Sequence, residues 1–490
     1  MHEAPVVRAG RPGLSHPDSR LPTAARFCED SAMRRFGAAV AALLMAVVVA
    51  APPARAAEDI ADALRRIPGL TVVAEAPAPE GFRFFKLTFT QPADHRQPGA
   101  GTFEQRLTLL HRDVRAPMVM YTSGYNVSEN PNRSEPTQLV DGNQLSMEYR
   151  YFTPSRPEPP DWDRQLTIWQ AATDQHRVAV AFKGMYGARW LATGGSKGGM
   201  TATYFRRFYP SDVQGTVAYV APNDVIDRHD VYDRFLSTVG DDPACREALR
   251  ANQRESLKRR DELGALASAE AAEKGYTFDI VGSQDRAMEI AIIDSYFTFW
   301  QYQKQSDCAS VPGPSASTAE IFEFYVKVES LNTYADQELA RYVPYYYQAA
   351  VQLGMPASYE RHLADLLRYP GSNVAATYVP DSVRLPRFDH LAMPDVDLWV
   401  RTRGSQLLFV DGENDPWSAE PFRLGFGSRD SYRYVVPGGN HGAKIAQLPP
   451  SEAAAATATV RRWAGVEAPA ARLAPPSLDA DPLLETRPRL

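Results

Sequence analysis

Apolar and polar positions alternate through "FRFFKLTFTQP" (Phe82 to Pro92) and "TFEQRLTLLHR" (Thr102 to Arg112), with a Pro/Gly-rich turn between them. That period of two predicts a pair of antiparallel strands at the edge of a sheet. "APMVMYTSG" (Ala116 to Gly124) is a short continuous apolar run and predicts a buried strand that ends in a glycine loop. "LSMEYRYF" (Leu145 to Phe152) predicts a further strand, and the spacing in "RQLTIWQAATDQ" (Arg164 to Gln175) predicts a helix. "RWLATGGS", "GGMTATYFRRFYP" and "GTVAYVAPND" then read as strand, helix and strand, the helix stopped by Pro210. Strands alternating with helices imply a parallel sheet covered on both faces.

From about Asp227 to Arg384 the period changes from two to that of helices. "ESLKRRDELGALASAEAAEKG", "DRAMEIAIIDSYFTFWQYQ", "TAEIFEFYVKVESLN" and "YYYQAAVQLG" follow one another between Gly, Pro and Ser breaks. They predict a helical domain inserted into the sheet, the alternative being helices that only cover one face. Strand-like runs return in "SQLLFVDGENDPW" (Ser405 to Trp417) and "SYRYVVPGGNHG" (Ser431 to Gly442). The expected division is a leader at 1–56, a first part of an α/β core at 57–226, a helical cap at 227–384, a second part of the core at 385–468 and a mobile tail at 469–490.

The leader changes the picture most. Met33, Arg34 and Arg35 precede an apolar run from Ala38 to Ala51, and Ala54-Arg55-Ala56 follows as a small-x-small cleavage signal. Residues 33–56 are therefore expected to be a secretory signal peptide, with translation starting at Met33 or with an unusually long basic region before it. Cleavage near Ala56 leaves 434 residues and removes seven Lys/Arg and four Asp/Glu, moving the net charge from -6 to -9. Such a chain, with 44% hydrophobic and 23% charged residues, is ordinary globular material with no basic surface for nucleic acid. The apolar run is too short to span a bilayer, so a secreted or periplasmic protein without stable membrane association is expected. Cys28 leaves with the leader, and Cys245 and Cys308 remain as an even pair in an exported chain. A disulfide between them is expected, two separate buried thiols being the alternative.

The candidate chemistry centres on "TGGSKGGMT" (Thr193 to Thr201). Gly-x-Ser-x-Gly between a predicted strand and a predicted helix is the setting of a nucleophile elbow, which exposes the Ser196 hydroxyl on a sharp turn. A serine hydroxyl is hardly ionised near neutral pH and needs a base to attack an acyl carbon. Asp415 and His441 each follow a later predicted strand, giving the chain order Ser, Asp, His of α/β-hydrolases. His441 would take the Ser196 proton while Asp415 holds the imidazole. Asp411 and Asp415 also suit a turn in "DGENDPW" with no chemistry. Of the other histidines, none lies in a small-residue loop directly after an apolar strand near the C-terminus. An oxyanion hole needs two amide donors; Lys197, next to the nucleophile, is the first candidate and Tyr125 in "TSGYN" the second, a plain turn at Tyr125 being the alternative. No His/Asp/Glu pair has metal-ligand spacing on a predicted helix, so neither metal nor cofactor is expected.

"TGGSKGGMTATYFRRFYP", "GTVAYVAPND", "GENDPW" and "GGNHG" together resemble the secreted bacterial tripeptidyl aminopeptidases, serine peptidases that include the prolyl tri/tetrapeptidyl aminopeptidases. The likeness runs from "QPADHR" at Gln91 to "GGNHG". "MEYRYF", "YYYQAAVQLG" and "DPW" are more distantly similar to prolyl carboxypeptidase and dipeptidyl peptidase II. In those relatives an aromatic stands in place of Lys197 and an acid in place of Gln352, which favours the tripeptidyl likeness. The resemblance implies an α/β-hydrolase core with a helical cap, and release of tripeptides, and of tetrapeptides or proline-ended peptides, from free N-termini through an acyl-enzyme. Counting residues from an N-terminus requires a closed pocket and an anion for the terminal ammonium. The acids Glu289, Asp294, Glu320 and Glu323 of the helical segment carry no assignment from the sequence. Its aromatic runs "YFTFWQYQ", "FEFYVKV" and "VPYYYQ" fit either a pocket wall or plain core. An esterase on the same core and a non-catalytic binding protein are the competing functions.

Overall fold

The computed structural model describes residues 59–466. The leader, its cleavage position, Cys28 and the tail from residue 467 lie outside the described residues. The strands are β1 Leu70–Ala76, β2 Arg83–Pro92, β3 Thr102–His111, β4 Met118–Tyr121, β5 Asn143–Met147, β6 Trp190–Gly195, β7 Gly215–Tyr219, β8 Leu407–Gly412 and β9 Tyr432–Val436. They form one sheet in the order β1-β2-β3-β5-β4-β6-β7-β8-β9. β1, β2, β3 and β5 pair antiparallel, and every pairing from β5 through β9 is parallel.

Strand polarity follows burial. β4, β6, β7 and β8 lie in the middle, covered on both faces, and read as continuous apolar or small-residue runs. Successive residues alternate between the faces. Met118, Met120, Trp190 and Ala192 pack with Val178, Phe182 and Phe205, whereas Val119, Leu191, Val217 and Val410 pack with Val460 and Trp463. The first set meets helices Ile168–Lys183 and Lys197–Phe208, and the second meets Pro450–Ala464. A central parallel sheet with helices on both faces is the α/β-hydrolase architecture expected from the sequence.

Several elements differ from the expectation. β2 and β3 are not at the sheet edge, because β1 pairs outside β2; its residues are largely exposed and leave no alternating signal. "LSMEYRYF" is strand only to Met147, after which the chain turns. The run expected as one helix from Glu255 to Gly275 is broken at Arg259 (φ -96°, ψ 27°) into Pro243–Lys258 and Arg260–Lys274. "YYYQAAVQLG" contains the end of a helix, Val343–Gln348, and a wider π turn over Ala349–Leu353 that stops at Gly354.

The helical segment runs between β7 and β8 around helix Gln284–Tyr302, in which every residue from Ala287 to Gln301 is buried. A helix buried on all sides belongs at the centre of a core. Its cluster includes Tyr232, Ile293, Phe297 and Trp300, and extends without a break to Tyr125, Phe152 and Trp417 on loops of the sheet. Cys245 and Cys308 are joined by a disulfide, Cα atoms 5.4 Å apart, tying helix Pro243–Lys258 to the turn Gln305–Ser310.

Candidate active site

β6 ends at Gly195, and helix Lys197–Phe208 begins two residues later. Ser196 makes the turn alone, with φ 54° and ψ -129°, a backbone region disfavoured for a residue with a side chain. Its amide donates to Tyr219 O at 2.8 Å and its carbonyl accepts from Met200 N at 3.0 Å, so both neighbours hold the strained turn. The bend brings the helix start against the loop after β4. A Cβ on Gly198 would lie 2.1 Å from Thr122 O, and one on Gly194 would lie 2.3 Å from the same atom. Only glycine permits this approach at either position.

Asp415 follows β8 and His441 follows β9. His441 Nδ1 donates to Asp415 Oδ2 at 2.8 Å, and both side chains are fully buried. Asp415 also accepts from Ser418 Oγ at 3.0 Å and from Trp417 N at 3.2 Å, which fixes its carboxylate plane. The His441 amide donates to Gln301 O at 2.9 Å, anchoring the histidine loop to the central helix. Asp411, the other aspartate of that stretch, is engaged elsewhere: its Oδ2 accepts from Arg433 Nε at 2.6 Å, and burial pushes its carboxyl up to about 6. The structure thus pairs His441 with Asp415.

Ser196, Lys197, Tyr125, Gln301 and Trp417 line one cavity with about 470 Å³ of empty space. His441 lines a neighbouring space that reaches Gly195, and its ring lies 6.4 Å from that of Trp417. Ser196, Asp415 and His441 each lie just beyond the C-terminal end of a strand, β6, β8 and β9 respectively.

Of the two amides expected to form an oxyanion hole, that of Lys197 is the first of its helix, where amides have no intrahelical carbonyl to bond. The Tyr125 amide donates to Ser123 Oγ at 3.1 Å. Ser123 Oγ in turn donates to Asn126 O at 2.8 Å. The Tyr125 amide is thus engaged within its own turn.

The Lys197 side chain folds inward. Nζ donates to Gly124 O at 2.9 Å and lies 3.3 Å from the centroid of the Tyr149 ring, with Tyr125 and Phe152 beside it. Burial pushes its ammonium well below the ordinary lysine range, while the carbonyl and ring faces favour the charged form. Sequence reasoning missed this cage, although "MEYRYF" supplies Tyr149 and Phe152.

It also missed Asp224 and Tyr232, which line the Ser196 cavity. Asp224 closes "VAPND" just beyond β7, the same place relative to its strand that Asp415 and His441 occupy. That was the available signal. None of Glu289, Asp294, Glu320 and Glu323 lines this cavity. Among the described residues no group of three or more His, Cys, Asp or Glu is arranged to hold a metal ion, and no helix is long and apolar enough to cross a membrane.

With this geometry in view, residues 52–490 match the family described as PS-10 peptidase S37. The chain belongs to that family. A curated relative of this S37 peptidase, the prolyl tri/tetrapeptidyl aminopeptidase of Streptomyces mobaraensis, is 57% identical over 411 residues, 83% of this chain and 85% of that protein. Among solved structures, acetyl xylan esterase 1 from Thermoanaerobacterium sp. aligns at 10% identity over 81% of this chain and 88% of that one, with a TM-score of 0.35. Proline iminopeptidase of Mycobacterium smegmatis aligns at 14% identity over 77% and 98%, with a TM-score of 0.34. The S37 peptidase is a serine hydrolase built on an α/β-hydrolase core.

Proposed function

We propose that this chain is an exported serine exopeptidase that releases tripeptides, and tetrapeptides, from free peptide N-termini, with preference for proline at the bond cleaved. The observation that carries this reading is the 57% identity to the Streptomyces mobaraensis enzyme over 411 residues. The family supports peptide substrates, and the aromatic part of the Ser196 cavity wall, Tyr125, Tyr345 and Trp417, is of a kind that suits a proline ring.

In this reading Ser196 Oγ attacks the scissile carbonyl and His441 Nε2 takes its proton. Asp415, bonded to Nδ1, fixes the tautomer and stabilises the imidazolium. The C–N bond breaks as His441 returns the proton to the leaving amine, and water, activated by the same histidine, then hydrolyses the acyl-enzyme. The Lys197 amide is one oxyanion donor. The Tyr125 amide is the second, exchanging the Ser123 hydroxyl for the substrate oxygen. Residues 227–384 act as the cap that closes the pocket beyond the third or fourth residue.

The test is mass spectrometry of products from a peptide library offered with free and with acetylated N-termini, beside fluorophosphonate labelling of wild type and Ser196→Ala. Tripeptide and tetrapeptide products from free N-termini, enriched in C-terminal proline, are expected. Internal cleavage of acetylated peptides, or labelling that survives Ser196→Ala, refutes the reading.

A further inference from the structure

The cavity at Ser196 contains polar groups that the proposed acyl transfer does not use. Asp224 is 9% exposed, lines the cavity, and neither accepts a hydrogen bond nor forms an ion pair among the described residues. The Tyr232 hydroxyl and Gln301 Oε1, on the same cavity, are buried without a hydrogen-bond partner. Buried polar groups in native proteins are nearly always satisfied, so two orphan atoms and an unbonded carboxylate, on residues that line one space, call for a ligand that satisfies them.

The neighbourhood sharpens this. Three acids, Glu420, Asp227 and Asp230, act on the Asp224 carboxyl here. The loop after Gly354 satisfies two of them: Met355 N donates to Asp227 Oδ1 at 3.1 Å, and Ala357 N donates to Asp230 Oδ2 at 2.5 Å. Glu420 takes the Val225 amide, yet its Oε2 is buried without a partner. Asp224 receives nothing, although a Cβ on Gly354 would lie 2.4 Å from its Oδ2. The backbone packs against this carboxylate without bonding it. Lys197 shares the cavity, but its Nζ is turned to Gly124 O and the Tyr149 ring. The charges acting on Asp224 are all of its own sign.

An enclosed, uncompensated carboxylate beside acceptor oxygens is complementary to a compact cation with several N–H donors. We propose that Asp224, with Tyr232 and Gln301 on the cavity wall and Glu420 behind it, is the subsite for a primary ammonium group, that of the first residue of the peptide that acylates Ser196; this rests on the exopeptidase reading above. The subsite measures the substrate: a chain whose ammonium sits on Asp224 presents to Ser196 only the bond at the matching distance.

The experiment compares wild type, Asp224→Asn and Glu420→Gln on Ala-Ala-Pro p-nitroanilide with a free amine, on its N-acetylated form, and on p-nitrophenyl acetate, which has no amine. Asp224→Asn is expected to lower kcat/KM for the free-amine peptide about a hundredfold while leaving the acetylated peptide and the ester within about twofold. Glu420→Gln acts in the same direction by about threefold. Should Asp224→Asn lose ester hydrolysis as well, inhibition of Glu420→Gln beside wild type decides: the preference of wild type for Ala-Ala-Pro over N-acetyl-Ala-Ala-Pro, at least about tenfold, is expected to shrink about threefold in Glu420→Gln, and an unchanged preference there overturns the subsite. Retention of the wild-type preference for the free amine by Asp224→Asn, with ester hydrolysis intact, overturns the subsite and leaves the exopeptidase reading standing. Equal cleavage, or equal inhibition, by free and acetylated peptides in wild type overturns both.

Discussion

Lys197 Nζ lies 3.3 Å from the centroid of the Tyr149 ring and donates to Gly124 O at 2.9 Å, so the residue after Ser196 clamps the loop that faces the elbow. A Cβ on Gly124 would lie 2.8 Å from the Lys197 carbonyl carbon, which shows how closely loop and helix start are packed. Lys197→Met keeps the length of the side chain and removes the donor. Because burial disfavours the ammonium, the loss of the charge offsets the loss of its hydrogen bond, and the melting temperature is expected to change little. The loop, no longer held, is expected to lower kcat about tenfold with little change in KM. A variant with normal kcat and a large drop in melting temperature would give Lys197 a purely structural role.

Ser196 carries both strain and chemistry, and the two are separable. Ser196→Ala keeps the φ of 54° and loses the hydroxyl, so activity is expected to fall on the order of a million-fold with stability unchanged. Ser196→Gly loses the hydroxyl and the strain together, and should be more stable than wild type by about 1 kcal/mol in denaturant melts. A glycine variant no more stable than the alanine variant would show that the elbow is not under strain.

The central strands were legible because each is an apolar run ended by turn residues, and the same turn residues marked Ser196, Asp415 and His441 as candidates. β1 was not, since an exposed edge strand has no buried face to impose a period. The helix break at Arg259 was hidden because no Gly or Pro marks it. Asp224 escaped notice because an acid after "PN" reads as a turn former, and only the third dimension brings it beside Ser196. The aromatic runs proved mixed: Tyr296, Trp300 and Tyr325 are core, whereas Tyr345 lines the Ser196 cavity.

The disulfide closes the chain between two residues 63 apart in sequence, inside the helical segment. In the chain-entropy account a loop of that size contributes about 4 kcal/mol by restricting the unfolded chain. Cys245→Ser with Cys308→Ser is therefore expected to lower the melting temperature measurably while leaving kcat on a saturating substrate within about twofold, since neither cysteine lines the Ser196 cavity. Mass spectrometry of the non-reduced protein should find no free thiol at either position. Two alkylatable thiols would refute the bond.

Asp224 links stability to pH with a sign opposite to that of an ordinary surface carboxylate. Burial, reinforced by Glu420, Asp227 and Asp230, pushes its carboxyl up to about 8; Tyr204 and Tyr232 are the phenols it acts on, and Lys197 faces away towards Gly124. An unfolded aspartate titrates at about 3.9. Between those values the folded protein holds a proton that the unfolded chain has released, so the contribution of Asp224 to stability is fully present below about pH 4 and is lost as pH rises through about 8. Asp224→Asn removes that titration. The variant should melt close to wild type at pH 4 and above it at pH 9, by on the order of 2–4 kcal/mol. Activity should move the other way. A free α-amine titrates at about 7.7–8.0, so wild-type kcat/KM for free-amine peptides should peak near pH 8, where an ionised carboxylate and a charged amine coexist most, and the peak should vanish in Asp224→Asn and with acetylated substrate. A residue that weakens the fold at the pH where it strengthens binding is held there by function rather than by packing. A melting difference between variant and wild type that is the same at pH 4 and pH 9 would remove the electrostatic basis of this prediction.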